Sequence, residues 1–276
     1  MASILVPAGY GSNMEGFAAI VTHHKTGTVW MQQTFRQIAA KLRVRFIHVH
    51  KGDVVPPDEL VAPIIFFERG GKLREYRHLR GDPRLKIIHL IRDPRDVVIS
   101  SMHYHCTSQE DWLHRPSERL GGRTYQAEIN ALRTSRARYV FEMDNRAATT
   151  IRTMLRWLDG GWSNSIECKY EDLIGDVEMI LFTEAVTHLG FFGQELEICR
   201  KAFWKHSLFG RRADGKALKG HIRSGAARQW ANIFDKPLAE EFARRFDGAL
   251  TRLGYETDNS WIEALPDLRP ELDVLQ

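Results

Sequence analysis

A chain of 276 residues with 43% hydrophobic and 27% charged residues has the composition of a folded globular protein, and it is long enough for a sizeable core. Its net charge of +4 suits anionic ligands, but no basic block or aromatic-studded basic stripe marks a nucleic-acid binder. Three widely spaced cysteines, Cys106, Cys168 and Cys199, argue against a disulfide framework and a cysteine-based zinc site. The first residues lack the basic start and long apolar run of a secretory signal, and no apolar stretch approaches the roughly 20 residues that span a bilayer. The expectation is a soluble protein of a reducing compartment, the cytoplasm, with no nucleic-acid partner and no membrane span.

In chain order, FAAIV (17–21) reads as a strand and residues 29–41 as a helix. VRFIHVH (44–50) reads as a second strand, and PPDEL (56–60) as a helix start with proline in its first turn. PIIFFE (63–68) and LKIIHLI (85–91) are nearly continuous apolar runs, as in strands covered on both faces. PRDVVISSMHYH begins a helix, and NSIECKYEDL holds a strand at 165–169. In VEMILFTEAVTHLGF the spacing places Val177, Ile180, Leu181, Ala185 and Leu189 on one helical face, with Gly190 near its end.

Strands alternating with helices predict an α/β fold: one domain with a central, mainly parallel sheet flanked by helices. The core would run over about 17–255, with a helical insertion over about 107–160. The segment after Tyr255, with its prolines and acids, is expected to be loosely held.

HHKTGTVWMQQTF (23–35) follows the first strand and places Lys25 and a Thr-Gly-Thr turn before a helix. Strand, glycine turn and helix N-terminus together form an anion cradle of backbone N–H groups. The familiar phosphate loop has its lysine after the glycines, whereas Lys25 precedes Gly27. IIHLIRDPRDVVISS supplies a second anion site, with Arg92 at a strand end and Ser100 in the following helix. Arg92 could instead pair locally with Asp93 or Asp96. HIRSGAARQWANIF (221–234) adds Arg223 and Gly225 before an aromatic helix, so that a guanidinium and a bare backbone approach one phosphate.

With these stretches in place, the sequence resembles the sulfotransferases that use 3′-phosphoadenosine 5′-phosphosulfate (PAPS) and release adenosine 3′,5′-bisphosphate (PAP). Lys25-Thr26-Gly27-Thr28-Val29-Trp30 is similar to their 5′-phosphosulfate loop, and Arg92 with Ser100 to their 3′-phosphate motif. Arg223-Ser224-Gly225 followed by QWANIF resembles their C-terminal Arg-Lys-Gly loop. KYEDL (169–173) and KHSLF (205–209) resemble the segments beside the adenine. The resemblance covers roughly residues 17–255 in the family's order. It implies a P-loop-like sulfotransferase architecture and in-line transfer of a sulfuryl group to a hydroxyl or amine of an acceptor such as a glycan or small molecule.

The resemblance also implies residue roles. Lys25 would stand at the leaving phosphate, N–H groups from Gly27 to Trp30 would hold the 5′-phosphate, and Trp30, Tyr170 and Phe209 would pack on the adenine. Ser207 would hydrogen-bond the base edge. Trp30 and Phe209 could equally be core aromatics. Two departures stand out: His23-His24 replaces the usual Tyr-Pro, altering loop packing, and Ser224 replaces a lysine, removing one cation.

The related enzymes take the acceptor proton with a His or Glu at a strand's C-terminal end, and Glu68 and His50 both fit that position. Partial burial would raise the Glu68 pKa into a useful range; alternatively Glu68 pairs with Arg69 or Arg74, and His50 packs under the next loop. DWLHRPSERLGG (111–122) is the candidate acceptor flap through Trp112, Arg115 and Arg119, or else packs its own Trp and Leu inward. The pairs His23-His24, His48-x-His50 and His103-x-His105 match no zinc signature, so no metal is expected. Two other readings stay open: a metal-dependent nucleotide kinase, and a non-catalytic nucleotide- or polysaccharide-binding module.

Overall fold

The computed structural model describes residues 16–50, 52–53, 55–56, 62–213 and 225–274. Among the described residues five strands form one sheet: β1 (Phe17–Val21), β2 (Phe46–Val49), β3 (Ile64–Phe67), β4 (Leu85–Ile91) and β5 (Ser165–Lys169). Their order is β2-β3-β1-β4-β5, and every pairing is parallel. The near-continuous apolar runs follow from this, because the strands of a parallel sheet are covered on both faces.

Alternate residues feed two apolar layers. Ala18, Ile20, Phe46, Ile64, Phe66, Ile88 and Leu90 face one layer; Ala19, Val21, Ile47, Ile65, Phe67 and Ile87 face the other. The first layer is completed by α1 (Thr28–Leu42), and by α6 (Tyr170–Gly175), α7 (Ile180–Leu189) and α8 (Gln194–His206), which follow β5 in the chain. The second takes Leu73, Tyr76, Leu79, Trp157 and Trp162, the last two stacked at 5.5 Å.

Chain contacts divide the protein into two compact units, residues 1–92 with 156–227 and residues 93–155 with 228–276. The first holds the sheet. The second holds α2 (Pro94–Thr107), α3 (Tyr125–Ala131), α4 (Ser135–Asp144), most of α5 (Arg146–Leu158) and α10 (Lys236–Arg245). The helical stretch expected at 107–160 thus lies largely in this second unit, together with α2 and the C-terminal segment. Arg95 is buried there between Trp230 and Trp261, its guanidinium carbon 3.5 and 4.6 Å from their rings, and it pairs with Asp93 and Glu256.

Three expectations are corrected. The buried face of α7 is Phe182, Ala185, Val186 and Leu189, whereas Val177, Ile180 and Leu181 are exposed. The helix begins only at Ile180, where the Asp176 carboxylate accepts from the N–H groups of Ile180 and Phe182, so the face is phased from Phe182. The segment after Tyr255 is anchored: Trp261, Leu265 and Leu272 are buried, and Arg136 bridges Asp235 to Asp273. QWANIF forms only a short 3₁₀ turn, Gln229–Asn232, with Trp230 and Phe234 buried. The PPDEL helix start falls largely outside the described residues. All three cysteines are free thiols. Among the described residues no helix is long and apolar enough to cross a membrane.

Candidate active site

β1 lies between β3 and β4, so the chain turns to opposite sides of it, and ligands of open parallel sheets bind at the carboxyl ends around such a reversal. Residues 22–27 leave β1 there. Lys25 and Gly27 adopt left-handed backbone, φ 66° and 101°. A Cβ on Gly27 would stand 3.0 Å from the Tyr170 ring, so a side chain there would be strained by the backbone conformation and crowd that ring.

The His23 carbonyl ties the loop together. It accepts from the Thr26 N–H at 3.1 Å and from the hydroxyls of Thr26 and Thr28 at 2.9 and 2.7 Å. With both threonine hydroxyls turned inward, Gly27 as N-cap and no acid in its first turn, α1 presents its N–H groups to an anion. The His23 ring is buried, and its Nε2 lies 2.7 Å from Nε2 of buried His89. His89 Nδ1 lies 3.2 Å from Glu167, and its ring stacks on Trp157 at 4.5 Å. Burial pushes the pKa of both histidines down, that of His89 to about 3.

Arg92 follows β4. It is buried, its Nη1 donates to the Lys25 carbonyl at 3.1 Å, and its guanidinium carbon lies 4.5 Å from the Tyr170 ring centre. Its Nε is 4.0 Å from Glu171. In the second unit Asp93 pairs with Arg95, and Asp96 accepts from the Trp230 N–H. Tyr170 is buried and donates its hydroxyl to the Gly225 carbonyl at 3.2 Å. Gly225 has φ 63° and lies against Leu208. Lys25, Gly27, Arg92, Tyr170 and Gly225 are therefore assembled within the first unit. Ser100 belongs to the second, half-buried on α2. Arg223 and Ser224 lie outside the described residues.

Trp30 is half-buried against Phe203, 5.0 Å between ring centres, and meets Tyr170 edge-on at 6.1 Å. Val29 is exposed. Phe209, on α9 (Leu208–Ala213), packs near Trp204 at 5.2 Å. Ser207 lies at the turn into α9. Its fully buried hydroxyl donates to the Trp204 carbonyl and accepts from the Gly210 N–H, closing the turn into α9.

At the neighbouring strand ends, Glu68 carries on the ladder by donating its N–H to the Val49 carbonyl. His50 stands just past β2, in a turn where its N–H donates to Asp53 and its carbonyl accepts from the Asp53 N–H. Its Nδ1 lies 2.8 Å from Glu68 Oε2, and His48 Nε2 lies 3.5 Å from the same oxygen. The expected rise of the Glu68 pKa is reversed: contact with His48 first, and then His50, overrides desolvation and brings it down to about 2. Glu68 is thus an anion held by two imidazoles. The convergence of His48 went unseen in the sequence, although the His-x-His spacing marked the place.

In the second unit, Trp112 packs against His105 at 5.1 Å and Tyr125 at 5.4 Å, with Arg146 over its ring at 4.4 Å. Leu113 is fully buried, so these two residues turn inward, while Arg115 and Arg119 are exposed.

The chain matches the sulfotransferase domain family over residues 18–254, and it belongs to that family of sulfuryl-transferring enzymes. No curated protein matches it in sequence. Among solved structures it is similar to mouse sulfotransferase SULT7A1 complexed with PAP, at 14% identity and a TM-score of 0.55 over 91% of this chain and 88% of that one. The sulfotransferase domain of the Synechococcus PCC 7002 olefin synthase aligns at 13% identity and a TM-score of 0.41, over 91% of this chain and 98% of that one. The architecture shared with the mouse structure is a parallel sheet flanked by helices, of the P-loop-like kind.

Proposed function

We propose that the chain transfers a sulfuryl group from PAPS to a hydroxyl or amine of an acceptor, a glycan or small molecule, by in-line displacement. The observation that carries this is the left-handed Lys25–Gly27 turn at the N-terminus of α1, locked to Arg92 through the Lys25 carbonyl. The left-handed Gly27 at the start of α1, and the threonine hydroxyls turned to the His23 carbonyl, leave backbone N–H groups that fit an anionic phosphosulfate.

When bound, PAPS supplies the sulfuryl group on a phosphate leaving group. Lys25 offsets charge on that phosphate, and the N–H groups from Gly27 to Trp30 hold it. Arg92, Arg223 and Gly225 hold the 3′-phosphate, Ser224 leaves that loop one cation short, and Ser100 keeps the role that the resemblance implies. Trp30, Tyr170 and Phe209 pack on the adenine. Peripheral-oxygen charge is met by positioning and fixed dipoles, so the transfer itself needs no metal.

His50 takes the acceptor proton, with Glu68 as the carboxylate that orients it. The 2.8 Å contact from Nδ1 to Glu68 leaves Nε2 of a half-exposed ring to face an acceptor. The acceptor meets the 111–122 segment, where Arg115 and Arg119 offer exposed guanidinium groups to an anionic or hydroxylated molecule.

Incubation with ³⁵S-labelled PAPS and an acceptor panel tests the reading. Labelled product from wild type, and none from Lys25→Ala with PAP affinity retained, is the expected result. Turnover of ATP–Mg²⁺ without sulfuryl transfer would replace it with the kinase reading.

A further inference from the structure

Two histidines and a glutamate aim donor atoms at one point beside the sheet. One ring nitrogen from each of His48 and His50 and a Glu68 carboxylate oxygen all lie within 4.8 Å of one another. The separations to Glu68 Oε2 are 2.8 Å from His50 and 3.5 Å from His48. Donors bound to one zinc ion at about 2.0–2.2 Å with tetrahedral angles stand about 3.3–3.6 Å apart, so small side-chain shifts suffice.

We propose that His48, His50 and Glu68 form a binding site for one late first-row divalent cation, Zn²⁺ foremost. Two imidazoles and one carboxylate suit zinc and its neighbours over the hard, all-oxygen preference of Mg²⁺ or Ca²⁺. Three protein donors leave a further coordination position for water, on the side where His50 is 53% exposed.

The second observation is His48 itself. Its side chain is only 5% exposed, and its Nε2 has no hydrogen-bond partner of good geometry among the described residues. The Glu68 carboxylate is its neighbour there, but at 3.5 Å the contact is too long for a good hydrogen bond, so a cation between the two would satisfy both. On its other side Nδ1 lies 2.9 Å from the Gln32 side-chain amide. That amide can donate to a bare Nδ1 or, turned over, accept from Nδ1–H, the outer contact that metal-bound imidazoles make. Gln32 thus supports either tautomer, including the one that points the Nε2 lone pair at Glu68.

The cation would also occupy His50 and Glu68, so it would stop acceptor deprotonation. This consequence alone rests on the function proposed above. The sequence pattern His48-x-His50 would thereby acquire a metal role, as a site whose occupation blocks the transfer rather than serving it.

The full chain is titrated with Co²⁺, whose visible absorption reports a low-coordinate nitrogen site, and with Zn²⁺ as competitor. One Co²⁺ per chain, displaced by Zn²⁺, is the expected result. His48→Gln and Glu68→Gln should each weaken binding about tenfold or more, and Gln32→Ala by about 10–100-fold. His78→Gln, at an exposed histidine elsewhere, should change nothing. PAP binding and circular dichroism report whether each variant is folded. Absence of a visible band in wild type, or a band that survives intact in folded His48→Gln, overturns the site. Single-turnover transfer is then measured with and without Zn²⁺. Zinc binding as described in a chain that transfers no sulfuryl group upholds the site and sinks the functional reading. Transfer without zinc binding does the reverse.

Discussion

Arg92 donates to the carbonyl oxygen of Lys25 across 3.1 Å, joining the loop after β1 to the residue that follows β4. The two strands are neighbours in the sheet, so the contact closes the site from both sides. One buried guanidinium therefore does two things: it fixes the loop that carries the proposed catalytic lysine, and it brings positive charge to the strand ends.

Arg92→Ala should accordingly weaken PAP binding, measured by calorimetry without added metal. A charge-assisted bond contributes about 1.5–3 kcal/mol, or roughly 10–150-fold in affinity. Binding equal to wild type would rule out Arg92 as a phosphate ligand.

Gly27→Ala places a Cβ at φ 101° and 3.0 Å from the Tyr170 ring. The left-handed backbone alone costs roughly 1–2 kcal/mol. Thermal unfolding should shift downward and PAP affinity should fall together, because the same turn shapes the cradle. A stable variant with normal affinity would show that the turn has another way to form.

His50→Asn and Glu68→Gln should each slow single-turnover transfer at saturating PAPS, with PAP affinity kept. The residue that takes the proton should lose on the order of 10²–10⁴ in rate. The proposed assignment expects the larger loss for His50→Asn. Less than a tenfold change for both would move the base to His48 or His105.

His23 and His89 are buried neutral, with folded pKa values below the unfolded one. The unfolded chain then binds more protons, so this stability is present above about pH 6.5 and is lost as pH falls toward the folded value of about 3 for His89. The slope reaches at most about 1.4 kcal/mol per pH unit for each histidine. Urea midpoints should drop between pH 7 and pH 5, and His89→Gln should flatten the trend. An unchanged slope in that variant would assign the acid sensitivity elsewhere.

Arg95→Ala should destabilise the second unit by about 3–5 kcal/mol, since it removes the guanidinium paired with the buried Asp93 carboxylate and opens the gap between Trp230 and Trp261. The readout is the denaturation midpoint. A loss under about 1 kcal/mol, the worth of a surface pair, would contradict the buried geometry.

The amino-acid sequence by itself determined the α/β class, the strands at 17–21, 85–91 and 165–169 to the residue, and the loop of Lys25 and Gly27 before α1. These signals are local: continuous apolar runs, a glycine that must take positive φ, a helix start. Tertiary structure alone decided the rest. Parallel pairing of β2 with β3 set His48 and His50 beside Glu68, and that neighbourhood turned an expected pKa rise into a fall. The buried face of α7 was settled by an Asp176 cap that starts the helix late, and the hydroxyl of Ser207 by a turn closing on Trp204. In each case the outcome depends on which distant or capping group arrives within about 3 Å, the hydrogen-bonding distance, and periodicity along the chain carries no record of that distance.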